Sequence, residues 1–140
     1  MQTDGPEPDS ILLDRIFETS PTGIVVLTPE GSITRCNDRA EQLLDMAESD
    51  IEGKEYEEPE WRFTDSTGEP VSESEHPFVR VRDSMGPIFG QEYRMERPHA
   101  DPIHVSISGA PIVEDGTVER LVFAFEDISD RHEREQQLED

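Results

Sequence analysis

The sequence predicts an α+β fold: one domain on a five-stranded antiparallel sheet, helices packed on one face, and a polar C-terminal exit helix. Three observations predict it. Short β-branched or alternating apolar runs occur twice near the start of the chain and three times towards its end. Between these groups the apolar residues follow helical spacing. Residues 129–140 are almost wholly polar. At 140 residues the chain has the size of one ordinary domain.

The elements follow in order. Residues 1–9 are polar, carry Gly5, Pro6 and Pro8, and read as a disordered lead-in. Ser10 is placed to cap a short helix whose Ile11, Leu12 and Ile16 share a face, with Leu13 at its margin, and which stops before Pro21. Gly23-Ile-Val-Val-Leu-Thr28 is β-branched and bounded by turn formers, so it reads as a buried strand. The turn Pro29-Glu-Gly31 leads into a second alternating strand, residues 32–36. Asn37 then stands where an N-cap is wanted, ahead of Ala40, Leu43, Leu44 and Ala47 at helical spacing. A helical turn follows at 50–53.

Residues 54–74 are acidic, hold Pro59, Gly68 and Pro70, and show no period, although Trp61 and Phe63 are large enough to reach a core. Residues 75–85 read as a further helix, with Pro77 tolerated in its first turn and Phe78, Val81 and Met85 on one side. Strands over 88–96, 102–110 and 118–127 close the sheet, separated by turn sequences at 97–101 and 114–116. In the last of them Leu121, Phe123 and Phe125 lie on one face, Val122 and Ala124 on the other. Ser129 or Asp130 caps the exit helix. The division is a lead-in over 1–9, a domain over 10–128 and the start of a C-terminal helix over 129–140.

Composition narrows the function. Thirty-four Asp and Glu against 12 Lys and Arg give a net charge of −22, a surface that repels nucleic acid and anionic lipid. Leu, Ile, Val and Phe number 32 of 140, so the core is lean. Eleven of the basic residues are Arg and Lys54 is the only Lys. Acidic excess, scarce Lys and low hydrophobicity fit a cytoplasm of molar salt, where a Debye length of ~3 Å screens self-repulsion. No apolar run approaches the ~18–20 residues that span a bilayer, and the first ten residues lack a secretory pattern, so the expected location is cytoplasmic. The single Cys36 excludes an internal disulfide and any multi-cysteine metal site.

Chemical motifs are sparse. Glu55, Glu57, Glu58 and Glu60 lack the accompanying ligand loop of a calcium site and read as a solvated face. His99, His104 and His132 have no metal-ligand spacing. With no nucleophile–base pair and no phosphate-cradling loop, the domain is expected to be non-catalytic.

Several segments then resemble one family. Phe17-Glu-Thr-Ser-Pro-Thr-Gly-Ile-Val-Val-Leu27, Gly31-Ser-Ile-Thr-Arg-Cys-Asn37, Ala40-Glu-Gln-Leu-Leu44 and Ile51-Glu-Gly53 are similar to the front half of a PAS sensor domain. Pro111-Ile-Val-Glu-Asp-Gly116 and Phe123-Ala-Phe-Glu-Asp-Ile-Ser-Asp-Arg131 resemble its back half, with Asp127-Ile-Ser129 in place of the family's Asp-Ile-Thr. Asp65-Ser-Thr-Gly-Glu-Pro70 and Glu75-His-Pro77 resemble one PAS subgroup. The likeness covers residues 10–131.

The resemblance implies a sensory input module, cut from a longer chain, that binds a small ligand or partner and acts on an output domain of the same polypeptide. With the acidic bias it points to a haloarchaeal two-component histidine kinase or a transducer. The alternative is a ligand-free dimerisation or protein-interaction module. Flavin-binding relatives use a cysteine in an Asn-Cys-Arg motif on a central helix; Cys36 instead precedes Asn37 at a strand end, so a flavin adduct is not expected. His76 lies in the region where some relatives ligate haem, but between Glu75 and Pro77 it reads as an exposed helix-start residue, and haem is not expected either.

The residues expected to face inward are Ile24, Val26, Leu43, Leu44, Phe78, Val81, Tyr93, Val105, Ile107, Phe123 and Phe125. They either line a ligand pocket or simply fill the core, and Tyr93 or His104 is the candidate polar contact. Asp127, Ile128, Ser129 and Arg131 form a strand-to-helix joint, either a signalling element or an ordinary cap, with Arg131 placed to pair with Asp127. A homodimer through the N-terminal helix follows from Ile11, Leu12, Leu13, Ile16 and Phe17, more apolar surface than one face buries. Nucleic acid and direct membrane contact are not expected partners.

The salt adaptation is testable. Circular dichroism should show the domain folded in molar salt and unfolding on dilution to low ionic strength; full stability at low salt contradicts the reading.

Overall fold

The computed structural model describes residues 15, 17–55, 62–65, 67–97 and 100–139. The expected lead-in, Ile11, Leu12, Leu13 and Ile16 of the first helix, Trp61 and His99 lie outside the described residues.

β1 (Gly23–Leu27) and β2 (Ile33–Cys36) form the expected antiparallel hairpin, its turn eased by Gly31 at φ 96°. α1 (Asp38–Leu44) buries Ala40, Leu43 and Leu44, and α2 (Glu48–Ile51) is a single turn. β3 (Phe63–Thr64), a 3-10 turn (Glu73–Glu75) and α3 (Pro77–Ser84) follow. β4 (Ile88–Met95), β5 (Ile103–Glu114) and β6 (Thr117–Asp127) make an antiparallel meander, and α4 (Ser129–Glu139) leaves it. Strand order is β2-β1-β6-β5-β4-β3. α1 lies against β1 and α3 against β5. Among the described residues no helix is long and apolar enough to cross a membrane.

The sheet therefore has six strands, not five. The extra one, β3, pairs Phe63 with Met95 and Thr64 with Arg94. Two residues are too short to show an alternating pattern, which is why the stretch read as irregular. A tight turn follows it: the Asp65 carboxylate accepts from the Thr67 hydroxyl at 2.6 Å, the Thr67 N–H at 2.9 Å and the Glu69 N–H at 3.1 Å. The chain then doubles back until Val71 N–H reaches Phe63 C=O at 3.0 Å. The Thr67 hydroxyl, followed by backbone N–H groups, holds the Asp65 carboxyl below its ordinary value.

Two boundaries also move. β5 runs on past Ala110 because β6 continues to pair with it, and Pro111, opposite Leu121, is tolerated there because the β4 ladder begins only at Ile88, opposite Gly109. The turn into β6 is Asp115-Gly116, with φ 52° and 76°, the two left-handed residues that a tight hairpin favours. Met85, expected on the apolar side of α3, is instead its left-handed C-cap at φ 55° and is 44% exposed.

Among the described residues Asn37 is the one fully buried polar side chain. Its Oδ1 accepts from Ala40 N–H at 2.9 Å, capping α1 as expected, and from Ile24 N–H at 2.9 Å. Its Nδ2 donates to Phe17 C=O at 2.8 Å and Thr22 C=O at 3.0 Å. Its own backbone N–H reaches Ile24 C=O at 3.1 Å. One amide thus joins the end of the N-terminal helix, β1 and α1. Replacing it strands several buried backbone groups as well as a cap. Asn37→Ala should cost about 2–4 kcal/mol in denaturant unfolding measured in molar salt. A loss below ~0.5 kcal/mol, the size of an ordinary surface change, contradicts this role.

Candidate functional site

Strand register decides which side chains face the helices. Gly23 opposes Phe125, Val25 opposes Phe123 and Leu27 opposes Leu121, so the odd-numbered residues of β1 point inward. Ile24 and Val26, expected inside, instead oppose Ala124 and Val122 on the outer face and are only half-buried. Three consecutive β-branched residues concealed the phase, and the inner position at 23 is a glycine that hydropathy does not mark. Gly23 has a steric reason to be there. A Cβ on it would stand 2.8 Å from the Phe125 ring, and one on Gly109 would stand 2.4 Å from Phe123.

Between the sheet and the helices lies an apolar cavity of about 70 Å³. β1 supplies Val25 and Leu27, β2 Ile33, and β6 Phe123 and Phe125; Ile107 comes from β5, while Phe63 and Met95 come from the β3–β4 pair. Leu44 of α1 and Pro77 and Phe78 of α3 close the other side. Of the remaining expected residues, Leu43, Val81 and Val105 are buried in the core without lining the cavity. Tyr93 is half-buried with its ring 5.5 Å from Phe63 and is not part of the lining. His104 opposes Arg94 and lines a polar groove of about 610 Å³ beside α4, with Glu92, Arg94, Ser129 and Glu133, so it is not in the cavity. Cys36 is buried at the end of β2. Among the described residues no three His, Cys, Asp or Glu side chains come together as a metal site.

The polar lining residue is His76, which the sequence marked only as an exposed helix start. It is half-buried, because the 3-10 turn ahead of α3 brings it against Phe63, with ring centroids 5.2 Å apart. Its Nδ1 accepts from Phe78 N–H at 3.1 Å, capping α3, with Pro77 at the first helical position. The His-Pro dipeptide was the signal, since a side-chain acceptor followed by Pro marks a helix N-terminus.

The joint between sheet and exit helix is compact. Ile128 is buried and its N–H donates to His104 C=O at 2.8 Å. His104 N–H donates to Ser129 Oγ at 3.1 Å, and Asp127 Oδ1 accepts from Ser129 N–H at 2.9 Å. Arg131 does not pair with Asp127, whose carboxylate is turned onto the helix backbone. Its guanidinium instead reaches Glu92 of β4 at 3.0 Å, with Glu135 at 3.9 Å.

Burial lowers the His76 pKa from 6.5 to about 4. Between those values the unfolded chain binds a proton that the folded chain refuses. The stability is therefore complete above the unfolded value and falls as pH drops towards the folded one. An NMR titration in molar salt should find the His76 midpoint near 4. Relative to His76→Asn, which keeps a capping side chain and does not titrate, the native protein should lose up to about 3 kcal/mol across that window. A midpoint at the ordinary value contradicts the burial.

The fold has many solved counterparts. The PAS domain of an HTR-like protein from Haloarcula marismortui is 22% identical, with TM-score 0.63, covering 86% of this chain and 92% of that one. A domain of a sensor histidine kinase/response regulator from Geobacter sulfurreducens is 16% identical, with TM-score 0.63 and coverages of 85% and 94%. A PAS domain of a LuxR-family transcriptional regulator from Burkholderia thailandensis, solved in complex with ethanol, is 20% identical, with TM-score 0.58 and coverages of 83% and 96%. At such identities the likeness is one of fold. No curated protein matches the sequence. The PAS domain family pattern, however, matches residues 21–130, most of the chain, and this protein belongs to the PAS domain family.

Proposed function

We propose that this chain is the sensory input module of a larger signalling protein. In this reading the inner cavity takes a small ligand, and the response leaves through α4 to an output domain of the same polypeptide, a two-component histidine kinase or a transducer. The module itself is non-catalytic. Its acidic, single-cysteine composition supports the cytoplasm of a haloarchaeal cell as its place of work. Likenesses to the Haloarcula and Geobacter domains and to the ethanol-bound Burkholderia domain support the sensing role.

The observation that carries the reading is the splice of β6 onto α4. β6 sets Phe123 and Phe125 in the cavity wall and ends at Asp127, and only Ile128 separates it from the first residue of α4. Bonds from Ile128 and Ser129 to His104, together with the Asp127–Ser129 bond, tie both sides of this step to β5. A shift of the two phenylalanines has no slack in which to dissipate before it reaches the helix. The Arg131–Glu92 pair adds a strap to β4; half exposed, it contributes under ~1 kcal/mol, enough to bias the orientation of the helix without locking it.

A second reading, a ligand-free dimerisation or interaction module, is favoured by Phe89, a large apolar side chain left 74% exposed on β4. Its dimer contact would be the N-terminal helix, which lies mostly outside the described residues.

The joint is tested in the full-length protein. Asp127→Ala should change basal output or the response to signal several-fold, while the domain keeps its folded spectrum. If both outputs match the native protein, the joint does not carry the signal.

A further inference from the structure

The outer face of the sheet, away from α1 and α3, is built unlike the rest of this surface. Cross-strand partners share a face, so the register lays out its rows. Ile24, Ala124 and Ser108 form one row, and Val26, Val122 and Ala110 form the next. In a chain of which 33% of residues are charged, these six central positions carry no charge. Two exposed large apolar side chains border the same rows. Phe89, 74% exposed, stands in the β4 bulge against Ser108, whose Oγ accepts from Gly90 N–H at 3.0 Å. Ile112, 46% exposed, lies two residues beyond Ala110 and opposite Arg120. Charge returns only at the two ends. Arg120 and Glu126, both exposed, alternate in phase with Val122 and Ala124 and so share their face. One lies three residues before Phe123 and the other three after it, each about 10 Å from that level along the strand. Arg120 gives one N–H to Glu119 C=O at 2.7 Å, and a guanidinium has others to offer.

We propose that a second copy of this chain docks on this outer face, sheet against sheet and antiparallel. A two-fold axis lying across the strands at the level of Phe123 turns the face onto itself and reverses the strands. It sets Arg120 of each copy against Glu126 of the partner subunit and closes the uncharged rows over one another. An axis along the strands would instead oppose like charges, so the charges choose the orientation while the apolar centre supplies the attraction. In molar salt a Debye length of ~3 Å removes the long-range repulsion of two chains of charge −22 and leaves pairs in contact in force. Four strands ~4.8 Å apart, over about seven residue levels of ~3.4 Å, offer roughly 450 Å² of sheet per copy. A standard stable interface takes ~800 Å² per partner, so this pair is transient. The contact needs no ligand in the cavity. Because it reverses the strands, the two α4 helices leave it from opposite ends, unlike a pairing through the N-terminal helices.

The test is sedimentation equilibrium of the whole chain in molar potassium chloride, from about 10 µM to 1 mM. A reversible monomer–dimer equilibrium is expected. Over the same range the methyl resonances of Ile24, Val26, Val122 and Ile112 should move with concentration, while those of Leu44 and Ile107 in the core stay in place. Phe89→Ser, at an exposed position, should weaken pairing about tenfold. Arg120→Glu and Glu126→Arg should each weaken it several-fold, and the two together should restore it. The native shifts decide the matter even if a variant does not fold. A chain that stays monomeric to the top of the range overturns the proposal. So does a dimer that is indifferent to Phe89→Ser and moves none of the outer methyls, since its contact lies on another surface. A dimer weakened by Phe89→Ser that the double charge exchange does not restore keeps the outer face and overturns the antiparallel arrangement.

Discussion

The amide of Asn37 is the constraint on which the rest of this fold depends. A buried amide offers two acceptor and two donor positions, and leaving any of them unmet in a dry core is costly. Here Oδ1 and Nδ2 are each used twice, entirely on backbone groups. No apolar residue could do this, and a Ser or Asp could do only part of it. Fixing β1 against the start of α1 sets the height at which Leu43 and Leu44 meet the sheet. That spacing defines the layer in which Phe78, Phe123 and Phe125 pack.

Much of the architecture was legible because local chemistry and tertiary packing agree there. The Pro29-Glu-Gly31 turn, the Asn37 cap and the Asp115-Gly116 hairpin each require a residue type that the sequence supplies. The alternation of Leu121, Phe123 and Phe125 gave the correct face of β6. Apart from Met85, a local C-cap, the misreadings of side chains and strands share a different cause, which is that a long-range partner decided the outcome. The inner face of β1 is set by Phe123 and Phe125 across the ladder, so hydropathy within Ile24-Val-Val26 could not show it. β3 exists because Met95 and Arg94 are there to receive it. Arg131 answers to Glu92, 39 residues away, and not to the nearer Asp127. His76 acquires its burial from Phe63, which lay in a stretch without readable period.

A lean core and an open space beneath the sheet have a common origin. Phe125 and Phe123 are folded over their cross-strand partners Gly23 and Gly109, close enough that neither glycine has room for a methyl group. Such pairs shield bare strand backbone with aromatic rings. A ring laid over a glycine fills less of the space towards the helices, although Phe123 still meets Phe78 of α3 with ring centroids 6.3 Å apart. With few other large apolar residues to compensate, a small volume stays unfilled near His76. The same economy of apolar surface that suits a chain carrying a net charge of −22 thus shapes its interior.

The single residue between β6 and α4 also has a geometric consequence. Each α-helical residue turns the chain by about 100°, and the first turn of α4 is held by the ladder itself, without a hinge. The azimuth of every later residue of that helix is therefore referenced to the sheet. Adding or removing one residue within α4 would swing whatever is joined beyond it through more than a quarter of a circle, whereas adding seven would nearly restore its bearing and only lengthen the lever. If α4 carries the signal as proposed, it hands on a compass direction as well as a displacement.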